Sequence, residues 1–282
     1  MLALLFSGSM ACLPSLLERT NGSFRLEKTA IHLPLNPVWE SDPPSIQLLE
    51  VLSQPFTYLG RGMQSFVFES SDGQFVLKLF RAAPRIHPWR QFFRKNLLKR
   101  TDRRDPREKM EQLLNACKLA YTEAADLTGL VYVHLNPTED LSMQTHLINR
   151  MGRKIGIDLN QCRFAIQRKG TSVSKTFSDA MVAGDLAKCA RLTESFLALV
   201  KERAARNIRN LDKKLGENFG FIGEKAIEWD FGSYSFCPEL RAHTAQAQEI
   251  EIFRKHLKSF LDQSFPELSH LFDKSSPCIE QF

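Results

Sequence analysis

The segment Asn218–Gly232 constrains this chain most. It reads Asn218-Phe219-Gly220-Phe221, eight residues, then Asp230-Phe231-Gly232. Phe219–Ile222 and Ala226–Trp229 predict two short strands, with Gly223-Glu224-Lys225 as the turn between them. An antiparallel pair of that length returns the chain on itself, so Asn218 and Asp230 can converge on one divalent ion. Asn supplies a neutral oxygen and Asp a charged one, a set that suits Mg²⁺. Taken alone, Asp230-Phe231-Gly232 is equally readable as an ordinary turn after a strand.

Upstream, Leu59-Gly60-Arg61-Gly62-Met63-Gln64-Ser65-Phe66-Val67-Phe68 places two glycines before a strand. Such a loop lets backbone N–H groups approach phosphate oxygens, although Gly-x-Gly between strands is most often a tight turn. Ser71-Asp72-Gly73 predicts the turn of a hairpin. The next strand, Phe75-Val76-Leu77-Lys78-Leu79-Phe80, carries one lysine among bulky apolar residues. Read singly, Lys78 is an exposed edge-strand lysine; read functionally, it is a phosphate-binding lysine paired with a helix glutamate.

The remaining elements follow from periodicity. A short helix is expected at 45–53. Met110, Leu113, Leu114, Cys117, Ala120 and Tyr121 share one face of a helix from Pro106 to Asp126. Strands are expected at Leu130–Leu135, Thr145–Ile148 and Arg163–Arg168. The longest amphipathic helix spans Asp185 to about Arg206, with Leu186, Cys189, Leu192, Phe196, Leu199 and Val200 inward. Helices close the chain at 244–263 and 266–273. Strands first, then helices, with a strand pair between, is an α+β arrangement of two lobes.

In order, then, the chain carries Gly60-x-Gly62-x-x-Ser65-Phe66-Val67, Val76-Leu77-Lys78, a long helix, strands, a long helix, Asn218 and Asp230-Phe231-Gly232. This series resembles the protein kinase-like superfamily, over about 55–235. The resemblance implies a bilobal α+β fold with a β-rich N-lobe and a short helical C-lobe. Residues 1–54 would be an irregular extension, 55–169 the N-lobe and hinge with a basic insertion at 81–109, and 170–282 the C-lobe. It also implies that Gly60, Gly62 and Ser65 cover the nucleotide phosphates and that Lys78 binds the α/β-phosphates of ATP. Glu123 or Glu111 would pair with Lys78, Glu123 being preferred. Gln167-Arg168-Lys169 would form the hinge whose backbone receives the adenine. Asn218 and Asp230 would hold Mg²⁺.

The departures bear on the chemistry. No His-Arg-Asp stands in the catalytic loop; the chain reads Asn207-Ile208-Arg209-Asn210-Leu211-Asp212-Lys213-Lys214. In the family the catalytic Asp lies five residues before the metal-binding Asn; here that position is Lys213, and Asp212 lies six before. Either the loop carries an extra residue and Asp212 is the base, or Asn210 replaced the Asp and the base is gone. Lys213 or Lys214 would neutralise charge on the γ-phosphate. There is no Ala-Pro-Glu, and 50 residues follow Gly232. That tail is short for a peptide kinase and closer to compact kinase-like enzymes for small molecules or sugars, with a loose likeness to lipopolysaccharide-core kinases.

Charge is concentrated. Residues 81–109 hold eleven Lys or Arg against three Asp or Glu, a net +8, whereas the whole chain is +6. Trp89, Phe92, Phe93, Leu97 and Leu98 interleave this block. Arg90, Arg94, Lys95, Lys99 and Arg100 would meet an anionic membrane surface on such an amphipathic stretch; nucleic acid is the lesser alternative, and a solvated insertion packed by its aromatics the plainest one. No apolar run reaches about 18 residues, so no membrane-spanning helix is expected. Met1–Cys12 is apolar but lacks a basic start, and its lipoprotein-like Ser9-Met10-Ala11-Cys12 begins with the wrong residue type; a ragged terminus is expected. The six cysteines show no C-x-x-C spacing and read as reduced, buried thiols.

These features predict an ATP- and Mg²⁺-dependent phosphotransferase acting on a small molecule, glycan or lipid headgroup, in the cytoplasm or peripheral to a membrane. The alternative is a pseudokinase that binds nucleotide and serves as an interaction module.

Overall fold

The computed structural model describes residues 24–82, 105–139 and 141–268. The basic side chains of Arg90, Arg94, Lys95, Lys99 and Arg100 therefore lie outside the described residues, as do Cys12 and Cys278. The fold is α+β. It divides into a strand-rich unit, Met1–Asn115 with Tyr132–Ile166, and a helix-rich unit, Ala116–Val131 with Gln167–Phe282.

In the first unit, helix α1 (Ile46–Ser53) starts where the Ser45 hydroxyl accepts the Leu48 N–H at 3.2 Å. Strands β1 (Pro55–Arg61), β2 (Ser65–Ser70) and β3 (Phe75–Phe80) follow as an antiparallel meander. The β2–β3 turn is the expected one, with Gly73 at φ +69°. Helix α2 (Pro106–Thr128) begins at Asp105, whose carboxylate accepts the Arg107 N–H at 3.0 Å, with Pro106 as its first residue. Strands β4 (Leu130–His134), β5 (Gln144–Ile148), β6 (Lys154–Asp158) and β7 (Phe164–Arg168) complete a seven-stranded sheet of order β4-β7-β3-β2-β1-β5-β6.

The β5–β6 hairpin extends this sheet by a parallel pairing of β5 with β1, Phe56 opposite Leu147. Strand β6 is absent from the sequence-based expectation. It sits at the sheet edge and buries only Ile157, so its pattern carries little hydrophobic signal. Alternation along β1 and β2 places Phe56, Phe66 and Phe68 on one face, all fully buried. Phe24 closes over Phe66 and Phe68, edge-on at 5.1 Å to each. The irregular segment ahead of α1 is thus part of the packing. Trp39 is buried, donates from Nε1 to the Asn115 side chain at 2.7 Å and lies under the Arg163 guanidinium at 5.5 Å.

In the second unit, β8 (Thr171–Ser172) leads into α3 (Val173–Val182), which the Ser172 hydroxyl caps at the Lys175 N–H. This helix is not evident from its polar and β-branched composition; burial of Val173, Thr176, Phe177 and Ala180 on one face stabilises it instead. Helix α4 (Leu186–Ala205) is the expected long helix, capped by Asp185 at the Lys188 N–H, 2.8 Å. Then come β9 (Ile208–Asn210), the single turn α5 (Leu215–Asn218), β10 (Phe219–Ile222), β11 (Lys225–Glu228), β12 (Tyr234–Phe236) and α6 (His243–Ser264). β10 pairs with β11 as the sequence predicts, and β12 pairs with β9.

Cys117, Cys162, Cys189 and Cys237 are buried and not in disulfides. Burial pushes the Cys162 thiol up to about 11, so it stays protonated and unreactive at neutral pH. Among the described residues no helix is long and apolar enough to cross a membrane.

Candidate functional site

In the strand-rich unit, strand register settles which side chains share a face. Gly60 stands opposite Val67, and Val67 opposite Lys78, so the three form one row across β1, β2 and β3. A bulge between Tyr58 and Gly60 resets β1 and creates this row; in the next one Arg61, Phe66 and Leu79 occupy the opposite face. Lys78 is half-buried on its strand.

The glycines of this loop have no internal cause. A Cβ built at Gly60 meets nothing within 4 Å, and one at Gly62 meets only the Ser65 carbonyl at 4.0 Å. Neither residue has a positive φ. The loop is closed by the Gly62 N–H donating to the Ser65 carbonyl at 2.9 Å. Its open backbone is the kind of surface a ligand can approach closely. Gly220 is the contrast: a Cβ there would lie 2.1 Å from the Trp229 ring and 2.6 Å from the Thr171 carbonyl, so packing alone demands glycine.

Of the two glutamates considered for Lys78, Glu111 has its carboxylate on Arg107 at 2.9 Å. Glu123 lies in the helix-rich unit, where its backbone carbonyl accepts from Arg206 at 2.7 Å. The Gln167 side chain is buried and donates to the Thr128 and Trp229 carbonyls, while the Arg168 N–H is taken by Gly129 at 2.7 Å. Lys169 is exposed.

The helix-rich unit brings Asn210, Asp212, Asn218 and Asp230 into one hydrogen-bonded frame. The Asn218 amide nitrogen donates to the Asp212 carbonyl at 3.1 Å, and its own carbonyl accepts the Trp229 N–H at 2.9 Å and the Asp230 N–H at 3.3 Å. The Asn210 side chain accepts the Asp212 N–H at 2.9 Å and donates to the Asp230 carbonyl at 3.2 Å. The Asp212 backbone is therefore held from both sides. Its half-exposed carboxylate accepts a single long bond from the Lys214 N–H at 3.4 Å. Phe231 is buried, whereas Asp230 is exposed and accepts the Gly232 N–H through Oδ1 at 3.1 Å. An anchored ring beside a solvent-facing carboxylate fixes where that carboxylate points.

Asn210 itself is fully buried with both side-chain ends engaged. Its amide nitrogen also donates to Glu228 at 2.6 Å. Glu228 has no exposed surface and accepts further from Arg203 at 2.6 Å and from the Tyr234 hydroxyl at 2.7 Å. Arg203 bridges onward to Glu249 at 3.0 Å and lies over the Phe253 ring at 4.6 Å. Burial, and then the Glu228 carboxylate, hold the Tyr234 phenol well above its ordinary range, so it remains a donor. The sequence reading missed this network. Its signals are a lone acid in the apolar strand Ala226-Ile227-Glu228-Trp229 and an arginine three residues beyond Val200 on the inward stripe of α4.

Lys214 pairs with Glu217 at 3.1 Å on the surface, and Lys213 makes no ion pair among the described residues. No group of three His, Cys, Asp or Glu side chains stands together among the described residues. The oxygens on offer for a metal are the amide oxygen of Asn218 and the carboxylate of Asp230. Such a set fits Mg²⁺, which takes few protein oxygens and completes its shell from phosphates and water.

No family model matches the chain, and no curated protein matches it. Solved structures give weak likenesses. One is described as a high-resolution crystal structure of WbdD, at 16% identity and TM-score 0.40, covering 72% of this chain and 38% of that one. Another is a co-crystal structure of WbdD with the kinase inhibitor LY294002, at 14% identity and TM-score 0.36, covering 71% of this chain and 37% of that one. This chain thus spans well under half the length of either, and both TM-scores are below 0.5, too low to establish kinship.

Proposed function

We propose that this chain is an ATP- and Mg²⁺-dependent phosphotransferase whose acceptor is a hydroxyl on a small molecule, glycan or lipid headgroup. The observation that carries this reading is the frame around Asp212, with backbone N–H and carbonyl both fixed and the residue only half-buried. A carboxylate so held is suited to accept the proton of an attacking hydroxyl. Asn210, buried and committed at both ends of its amide, is suited to holding that loop and not to proton transfer. Lys213 is the loop cation with no ion-pair partner among the described residues, and it would meet negative charge developing on the transferred phosphoryl group.

The Gly60–Val67–Lys78 row supports the nucleotide half of the reading. Gly60 and Gly62 would offer N–H groups to phosphate oxygens, Ser65 closing the loop, and Lys78 would neutralise phosphate charge. The backbone around Gln167 and Lys169 would receive the adenine. Bound Mg²⁺ neutralises and orients the nucleotide phosphates; Asn218 and Asp230 would hold it.

Calorimetric titration of ATP, with and without Mg²⁺, tests this on wild type and Asp230→Asn. Mg²⁺-dependent binding weakened about tenfold or more in the variant is expected, equivalent to about 1.4 kcal/mol. Wild type that binds no ATP, or binding indifferent to both Mg²⁺ and the variant, sinks the proposal. Gly60→Ala and Gly62→Ala separate ligand from scaffold. Both variants should keep thermal stability within about 0.5 kcal/mol of wild type, because nothing crowds the new methyl. ATP affinity should fall in both. Unchanged affinity would reduce the loop to an ordinary turn.

A second reading rests on the departure at the catalytic loop, where Lys213 stands five residues before Asn218. In that reading the chain binds nucleotide without transferring phosphate and serves as an interaction module. ATP binding with no ADP formation from any acceptor favours it.

A further inference from the structure

The face of the sheet opposite Lys78 carries a cluster that the nucleotide reading does not use. Arg61 and Phe66 stand in register on that face, and Tyr58 opposes Phe68 on the same side. Arg81 follows β3 directly, and its guanidinium lies over the Phe66 ring at 5.3 Å. Its Nε is buried and has no hydrogen-bond partner among the described residues. Arg150 arrives from the β5–β6 turn, which the parallel pairing of Thr57 with Ile148 sets beside Tyr58. That turn is firmly built: the buried Asn149 side chain accepts the Met151 and Arg153 N–H groups at 3.0 and 2.9 Å.

Arg61, Arg150 and Arg81 all lie near enough to Tyr58 for their charges to act on its phenol. Burial raises the Tyr58 pKa, and the charges that oppose it come from Arg61, Arg150 and Arg81, with no carboxylate among them. None of the three arginines forms an ion pair among the described residues. Like charges packed together with a half-buried member repel one another, so the cluster lacks the anion that would offset its cost.

We propose that Tyr58, Arg61, Arg81 and Arg150 form an anion site for a phosphate group, distinct from the Gly60–Lys78 face. Planar guanidinium forks match phosphate oxygens in pairs. The same chemistry serves a free phosphate or the phosphate of a lipid headgroup.

The test uses the full chain and two probes: inorganic phosphate by calorimetry, and phosphatidylcholine vesicles with and without phosphatidic acid by co-sedimentation. Arg150→Gln is the first variant, since Arg150 is exposed in a turn and its loss leaves the core intact. Arg81→Gln/Arg150→Gln is the second. Arg150→Gln is expected to weaken binding about tenfold and the double variant to abolish it. Wild-type binding to phosphate assigns a soluble ligand; binding only to phosphatidic acid vesicles assigns a headgroup. Wild type that binds neither probe overturns the proposal. So does binding that survives both arginine variants, which would move it elsewhere on the chain.

Discussion

Asp212→Asn is expected to lower ADP formation by about 100-fold or more, the contribution of a positioned general base. The acceptor can be water or an added glycan or headgroup alcohol. The substitution keeps the shape of the side chain and both backbone bonds of Asp212, to Asn210 and Asn218. Thermal unfolding should therefore match wild type, and Mg²⁺-ATP should bind within about twofold of the wild-type affinity, a difference of a few tenths of a kcal/mol. An Asn at this position can accept a hydrogen bond but cannot take the proton. Activity retained in the variant would remove Asp212 from the chemistry. Binding without ADP formation in wild type as well would favour the interaction module.

Arg203→Met is the second large effect, and it acts on stability. The substitution leaves Glu228 and Glu249 buried without the guanidinium they share, at 2.6 and 3.0 Å. Breaking a buried ion pair from one side costs about 3–5 kcal/mol, against a whole-domain stability of about 5–15 kcal/mol. Urea unfolding measures this directly. The double variant Arg203→Met/Glu228→Gln should recover part of the loss, because it removes the Glu228 charge, whereas Glu249 still faces Arg209 at 3.7 Å. Single-variant costs below about 1 kcal/mol would show that the network contributes little net stability. A subtler consequence follows from Asn210. Its amide is held by Glu228 at 2.6 Å, so disturbing Glu228 loosens the residue that fixes the Asp212 N–H. Tyr234→Phe removes one donor to Glu228 and should be milder, about 1–2 kcal/mol.

Local interactions made much of this chain readable. The inward stripe of α4, the Gly73 turn and the β10–β11 strand pair depend on contacts between residues a few positions apart. So does the convergence of Asn218 and Asp230, since a short hairpin leaves them nowhere else to go. Helix α3 and strand β6 were not readable, because each is stabilised by burial against distant segments more than by its own sequence pattern.

The sequence by itself determined most of the elements, the hairpin turns and the residue types that chemistry needs. Tertiary structure alone decided three further matters. It set the register that lines up Gly60, Val67 and Lys78 and turns Arg61 to the other face, which one bulge between Tyr58 and Gly60 controls. It seated Phe24 and Trp39 from an irregular segment into the core. And it made Asn210 a buried strut while leaving Asp212 half-exposed. The physical reason is common to all three. A side chain's role depends on which buried donors, acceptors and rings surround it, and those come from segments tens of residues away that no local pattern specifies.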